Sequence, residues 1–565
     1  MIEGLSPALI LILGGVLVPL FRGRARTPYL LILPLAAMLQ LLGLAHGEHG
    51  LLQAFDLELV TLRLDRLSFL FALAFVIAAL LSSLFALHLR DSMQQMAAFV
   101  YAGAAIGAVL AGDLLTLFVY WELTAVASVF LIWASRTERA IRAGLRYLII
   151  QVASGVMLLA GLTLHYVGTG SLEFGYLGLD TPGGIWILLA FGIKSAFPLL
   201  HNWLQDAYPE ATPTGAVVLS VFTTKLAIYA LARGFAGTDM LVPVGAVMAL
   251  FPIWYGLIEN DLRRILAYAL NNQLGFMVVG IGIGSELAIN GTVAHAFCHI
   301  IYDALLFMSM GAVLFRTGTV KASELGGLYK SMPWTAGLCI VGAASISAFP
   351  LFSGFISKPM VLLALAEEHR WLTWLALVFA SAGVFQFTGL RVPYFAFFAQ
   401  DSGKRWAEAP RHMLCAMGTA AALCLLLGVS PALLYGLLPY PVHFSPYTTS
   451  HVVAQLQLLL FSALAFVLLM RAGLYPRPQS SVNLDSDWIY RRGLPRLLSA
   501  LSTGYRGFHS ASVEQARVSG RGLQSGLRRH HGPRGALARN WPTGSMVLWV
   551  TVMLAGFLIF YYMRE

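Results

Sequence analysis

An all-α polytopic membrane fold of about sixteen transmembrane helices is the architecture that this 565-residue chain predicts. Three observations carry that expectation. The chain is 58% hydrophobic and only 11% charged, whereas soluble domains hold about 25% charged residues. Apolar windows of about 20 residues, enough to cross a bilayer as a helix, follow one another with short connections. Basic residues gather in alternate loops, the pattern expected of cytoplasmic loops.

The windows fall at 5–21, 28–45, 65–88, 96–111, 113–134, 143–167, 184–204, 213–233, 240–258, 265–284, 290–315, 333–366, 372–398, 411–438, 452–471 and 545–562. The first lacks a basic start and a small-residue cleavage site, so it reads as a retained helix rather than a removed signal peptide. Loops after odd-numbered windows hold Arg22, Arg24 and Arg26, then Arg136, Arg139 and Arg142, then Arg263 and Arg264, then Arg316, Lys321 and Lys330, then Lys404, Arg405 and Arg411. Loops after even-numbered windows are neutral or acidic, with Glu48, Asp56, Glu58, Glu173, Asp180, Glu286, Glu367 and Glu368. Both termini are therefore expected outside a bacterial inner membrane, with the 472–544 segment in the cytoplasm.

That segment is the most basic part of a chain whose formal charge is +10. Between Tyr490 and Trp541 it carries ten arginines and one acid, Glu514. An RNA-binding tail would share this composition, but a cytoplasmic linker between two membrane helices accounts for it more simply, so no nucleic-acid partner is expected. DWIYRRGLPRLLSALSTGYRGFH is partly amphipathic, with arginines suited to lipid headgroups. Its glycines predict a short amphipathic helix within an otherwise irregular stretch.

Cys298, Cys339, Cys415 and Cys424 are scattered through apolar windows without a CxxC pair. Packing is their expected role, not metal ligation or disulfide bonding. GIGIG at 280–284 lies at a membrane helix end with no preceding strand, which excludes a dinucleotide fingerprint. The chain shows no phosphate loop, flavin or Fe–S ligand set and no nucleophile constellation, so no cofactor, metal or catalytic site of its own is expected.

Ionisable residues at membrane depth are expensive and mark function by default. Glu122 is the lone carboxylate in DLLTLFVYWELTAVASVFLIW beyond its first residue, and Lys194 and Lys225 each sit mid-window. His295, His299 and Asp303 recur at i, i+4, i+8, one stripe of a helix. That stripe suits a water-facing polar path better than a zinc site, because no catalytic HExxH context surrounds it. SAFPL at 195–199 recurs as SAFPL at 347–351, placing Pro198 and Pro350 inside apolar windows, with Lys194 and Lys358 nearby. Paired helix breaks at mid-membrane are the sequence sign of a transporter's central site. Burial and a nearby carboxylate shift a lysine in opposite directions, so these groups suit proton transfer rather than small-molecule chemistry.

YWELTAVASVFLIW, GIKSAFPLLHNWLQDAYPEATPTGA, TTKLAIYALAR, NDLRRILAYALNNQLGFM and HIIYDALLF resemble the proton-conducting antiporter-like subunits shared by Mrp-type Na+/H+ antiporters, respiratory complex I and membrane-bound hydrogenases. The resemblance covers about residues 65–430, and its wording is most similar to the D subunit of Mrp antiporters. It implies two inverted five-helix repeats, each with a broken helix, here expected over 96–234 and 235–400. N-terminal helices would fill 1–95, C-terminal helices 401–471 and a final anchor 545–565.

By the same resemblance Glu122 is the membrane glutamate, Lys194 the lysine of the first broken helix, and Lys225 the central relay. Lys358 is then the charge on the second broken helix, and His295 and His299 line the connecting axis. Asp303 departs from the family pattern, which commonly has lysine there. It is expected to hold a cation or to pair with Lys225 or Lys358. WLQDAYP replaces the usual WLPDAH. The implied partners are other Mrp-like membrane subunits, H+, Na+ and the lipid bilayer. A proton-pumping arm of a complex I-like or hydrogenase redox complex is the alternative.

Overall fold

The computed structural model describes residues 6–54, 57–401, 403, 405–479, 483–540 and 542–564. Asp56 and Lys404, both used in the loop-charge pattern, lie outside the described residues. The chain divides into two compact units, residues 1–483 and 484–565.

The first unit opens with α1 (Pro7–Leu17) and α2 (Arg26–Gly43). An antiparallel hairpin follows, β1 (Gly47–Ala54) paired with β2 (Leu57–Leu64) in the register Gly47 opposite Leu64. The sequence reading did not anticipate this hairpin. Its second strand buries Leu59, Leu62 and Leu64, and Val60 accepts a backbone bond from Gly112. Next come α3 (Arg66–Phe85), α4 (Ser92–Leu110), α5 (Leu114–Trp133) and α6 (Glu138–Thr169). Each starts on a side chain that satisfies otherwise orphaned N–H groups: Asp65, Asp91, Asp113 and Thr137.

α7 (Gly184–Lys194) stops short, and α8 (Asn202–Ala207) resumes after a seven-residue gap. α9 (Pro213–Val221) and α10 (Thr223–Gly234) form one apolar span interrupted at Phe222. α11 (Leu241–Ile258), α12 (Leu262–Ile283) and α13 (Glu286–Thr317) complete the middle of the unit. α14 (Pro333–Ile346) is again separated from α15 (Ser353–Glu367) by a break. α16 (Trp371–Val384) continues through two π-helical segments that flank α17 (Arg391–Pro393), and α18 (Arg411–Val429), α19 (Ala432–Tyr435) and α20 (Thr449–Arg471) close the unit. Among the described residues of the whole chain, thirteen helices are long and apolar enough to cross a membrane, and three shorter apolar helices accompany them.

The two SAFPL breaks share one backbone solution. In the first, Ala196 and Leu199 take φ of 61° and 70°; in the second, Ala348 and Leu351 take 56° and 75°. Phe197 N–H bonds Gly192 O and Ala196 N–H bonds Ile193 O, and Phe349 and Ala348 repeat this with Ala344 and Ser345. That is the Schellman ending, with alanine in the left-handed position that usually takes glycine. Pro198 and Pro350 then occupy the second position of a turn closed by Leu200 N–H to Phe197 O and by Phe352 N–H to Phe349 O. The helices therefore end four residues before each proline. Leucine in the left-handed region costs about 1–2 kcal/mol, and both breaks accept it.

The second unit contains α21 (Leu494–His531) and α22 (Thr543–Tyr562). α21 runs unbroken for 38 residues, about 57 Å at 1.5 Å per residue, where the glycines had suggested a short helix. Helical spacing puts Leu494, Leu498, Leu501, Tyr505 and Phe508 on one exposed apolar stripe, while Arg492, Arg496, Arg506, Arg517 and Arg521 fall on the other side.

Candidate functional site: a buried line of charge

Every membrane-depth ionisable residue singled out from the sequence lies within the first unit. Lys194, Lys225, His295, His299 and Asp303 are fully buried and Lys358 nearly so, whereas Glu122 is half-buried. None of the three lysines snorkels to a surface.

Lys194 ends α7, and its ammonium donates to the Trp121 carbonyl at 2.6 Å and to Thr124 Oγ1 at 2.8 Å, both on α5. It also lies 4.3 Å from the centroid of the Trp121 ring. Glu122 is the next residue on α5, directly after the Trp121 carbonyl that accepts from the Lys194 ammonium. The two make no contact ion pair: among the described residues no carboxylate lies within 4.0 Å of the Lys194 ammonium.

The interruption at Phe222 leaves the Ser220 carbonyl without its usual helical donor, and Lys225 Nζ takes it at 2.6 Å. Tyr101 holds the other edge of the gap, with its hydroxyl against Thr223 Oγ1 at 2.5 Å and accepting from Thr223 N–H at 3.0 Å. This third break carries neither proline nor glycine, so the sequence reading ran one helix through it. Lys225 also approaches Asp303 Oδ2 on α13 at 3.4 Å, with both side chains fully buried. Of the partners expected for Asp303, the structure selects Lys225.

Along α13 the stripe behaves as its spacing predicts. Asp303 Oδ1 is 3.9 Å from His299 Nε2, too long for a hydrogen bond. The His299 and His295 rings stack with centroids 6.0 Å apart. His295 Nδ1 meets Ser357 Oγ on α15 at 3.0 Å, one residue before Lys358. Tyr302 hydroxyl donates to Gln273 Oε1 at 3.2 Å on the flank.

Lys358 is not the register counterpart of Lys194. The two breaks correspond residue for residue in sequence and in their left-handed positions, and Ile346 holds the place of Lys194. Lys358 follows its break and reaches back to the Ile346 carbonyl at 2.6 Å, while Gln455 donates to the adjacent Ser347 carbonyl at 3.2 Å. A cation there meets the negative end of the α14 dipole. At the first break Trp203 Nε1 plays the capping part, donating to Ile193 O at 2.9 Å.

Several buried polar atoms on the same helices have no hydrogen-bond partner among the described residues. They include Glu122 Oε1, the Gln151 amide, Thr224 Oγ1, the Asn271 amide, His295 Nε2, both His299 nitrogens, Asp303 Oδ1 and Ser353 Oγ. Native interiors leave few such groups, and their concentration along this line gives it donors and acceptors able to hand on a proton. Among the described residues no group of three or more His, Cys, Asp or Glu side chains is arranged to hold a metal. Thr124, Ser357 and Gln273 contribute to the line and escaped the sequence reading, because a hydroxyl or amide in an apolar window carries no distinguishing spacing.

Residues 111–383, which hold Glu122, Lys194, Lys225, His295, His299, Asp303 and Lys358, match the NADH:quinone oxidoreductase/Mrp antiporter transmembrane family. Over 324 residues the chain is 32% identical to the D subunit of the Na+/H+ antiporter of Alkalihalophilus pseudofirmus, covering 54% of this chain and 65% of that protein. The match thus spans just under two thirds of that relative's length. Over 415 residues it is 31% identical to the NAD(P)H-quinone oxidoreductase chain 4 1 of a Synechococcus species, covering 68% of this chain and 75% of that protein. Its fold is shared with a chain of the membrane-bound sulfane sulfur reductase, an archaeal respiratory membrane complex, with TM-score 0.72, 21% identity, and coverage of 98% of this chain and 99% of that one. By sequence, this chain belongs to the NADH:quinone oxidoreductase/Mrp antiporter transmembrane family.

Proposed function

We propose that this chain is the proton-translocating subunit of a multi-subunit, Mrp-like cation/proton antiporter. Protons pass along Glu122, Lys194, Lys225, Asp303, His299, His295 and Lys358, and other Mrp-like membrane subunits and a Na+ gradient complete the machine. The observation that carries this reading is the fully buried Lys225–Asp303 contact at 3.4 Å. It joins the lysines of the first half of the line to the histidine stripe of the second.

Opposite unit charges at that separation attract by about 5 kcal/mol at an effective dielectric of about 20. An ionised Asp303 therefore holds the Lys225 proton, and a proton arriving on Asp303 removes the hold. Charge entering at Glu122 and Lys194 shifts the same balance through space. Such a pair stores one proton in either of two arrangements and passes it on when a neighbour changes charge. The loop charges support a placement in the bacterial inner membrane with both termini outside.

A second reading, the proton-pumping arm of a redox complex, is favoured by the match to the Synechococcus quinone oxidoreductase chain. Purifying the tagged full chain from gently solubilised native membranes separates the two. Small hydrophobic subunits without chromophores, together with Na+-induced collapse of a pH gradient in everted vesicles, are expected. Co-purifying flavin or Fe–S proteins, with vesicles indifferent to Na+, would replace the antiporter reading by the redox one.

A further inference from the structure

Glu122 has an unusual seat. A Cβ built on Gly155 of α6 would lie 1.3 Å from Glu122 Oε1 and 2.4 Å from its carboxyl carbon, the closest such approach of any described glycine. The carboxylate thus occupies the volume that a side chain at 155 would fill. Oε1 finds no hydrogen-bond partner there. Glycine is the poorest helix former after proline, so its presence inside a long buried face asks for a packing reason.

The neighbouring residues address the same turn of α5. Trp121 Nε1 donates to Ser154 Oγ at 3.0 Å, and Ser154 Oγ donates onward to the Ala190 carbonyl of α7 at 2.8 Å. Residues 154 and 155 of α6 therefore hold residues 121 and 122 of α5, and through Ala190 they hold the helix that ends in Lys194. Gln151 lies four residues before Gly155, on the same face of α6. It is fully buried and its amide has no partner.

We propose that Gly155 is the positioning residue for Glu122: it berths the carboxylate against α6 and thereby sets its separation from Lys194. The inference rests on the proton-path reading above and adds to it the device that keeps Glu122 and Lys194 coupled without letting them close into a contact pair. Any side chain at 155 drives the carboxylate off α6 and changes that separation, on which the Coulomb interaction directly depends.

A mutant cycle of Gly155→Ala, Glu122→Ala and the double variant tests this, in the full chain within its native assembly. Tm from tryptophan fluorescence and proton flux in proteoliposomes are read for each. Gly155→Ala is expected to lower Tm slightly, because only the flexible carboxyl end of Glu122 has to shift, and flux by up to about a hundredfold, the scale for a reacting group displaced by about 1 Å. In the Glu122→Ala background the same substitution should leave Tm unchanged or raise it, because the berth is then vacant and alanine is the better helix former. If Gly155→Ala fails to assemble, recovery of assembly in the double variant is the same result. An equal loss from Gly155→Ala in both backgrounds, or wild-type flux in Gly155→Ala, overturns the proposal. Wild-type flux in Glu122→Ala would instead sink the proton-path reading, with the Tm cycle still reporting on the berth.

Discussion

Asp303→Asn is expected to destabilise the protein by about 3–5 kcal/mol, the effect of removing one partner from a buried ion pair. Lys225 is fully buried, and Asp303 is its carboxylate partner at 3.4 Å. The amide keeps the shape and loses the charge, which leaves the ammonium with the Ser220 carbonyl, 2.6 Å away. Asp303→Lys should be worse, because it sets two ammonium groups against each other in a buried site. The exchange Lys225→Glu with Asp303→Lys should regain part of the loss. Recovery is incomplete because glutamate has no donor for Ser220. Tm and assembled yield of the purified complex report all three. An Asp303→Lys variant as stable as wild type would show that Asp303 and Lys225 do not depend on one another.

Lys194→Met should separate function from folding. The methionine fills a similar length of the pocket under Trp121 and Thr124, and it removes a fully buried charge that has no contact carboxylate. Stability is expected to hold or rise, since an ammonium buried without a contact carboxylate is costly to keep out of water. Proton-linked flux is expected to fall about a hundredfold or more, the lower end of the range for loss of a proton-transfer group. Flux that tracks wild type in everted vesicles would remove Lys194 from the path. Thr124→Val probes the same contact more gently, because it deletes one of the two acceptors and leaves the charge in place.

How much of this was legible in the sequence depends on what each feature needs. A lysine among apolar residues announces itself, because burying charge is expensive whatever the fold. The i, i+4, i+8 stripe of His295, His299 and Asp303 likewise needs only helical periodicity. The two SAFPL breaks were visible through their prolines, but their mechanism was not. Ala196 and Ala348 end their helices in a conformation normally left to glycine, so the break begins before the residue that advertises it. The interruption at Phe222 had no such flag. It exists because Tyr101 and Lys225, distant in sequence or on the far side of the gap, satisfy the freed backbone.

Lys194 precedes its SAFPL and Lys358 follows its own, an order the sequence already shows; only the fold shows that Lys358 reaches back across its break to the Ile346 carbonyl. The hairpin at 47–64 was overlooked because the apolar alternation of LELVTLRL changes phase between Leu59 and Val60, and a short strand pattern between two long apolar windows reads as loop. The glycines of α21 pointed to an irregular segment, and local propensity is a weak prior against the amphipathic pattern that α21 presents. Gly155 was invisible for a simpler reason: its meaning lies in Glu122, 33 residues away in sequence and in contact only in the fold.

The central claim is that protons cross through the Lys225–Asp303 junction. Its most direct test removes both charges at once, as Lys225→Met with Asp303→Leu, in the full chain within its native assembly. Replacing a buried ion pair by apolar groups of similar size is neutral or stabilising, so the variant should assemble with wild-type Tm. A pH-sensitive dye inside proteoliposomes then reads proton flux under an imposed Na+ gradient. The account predicts an intact complex with no flux above empty liposomes. An intact complex that moves protons at the wild-type rate would contradict it.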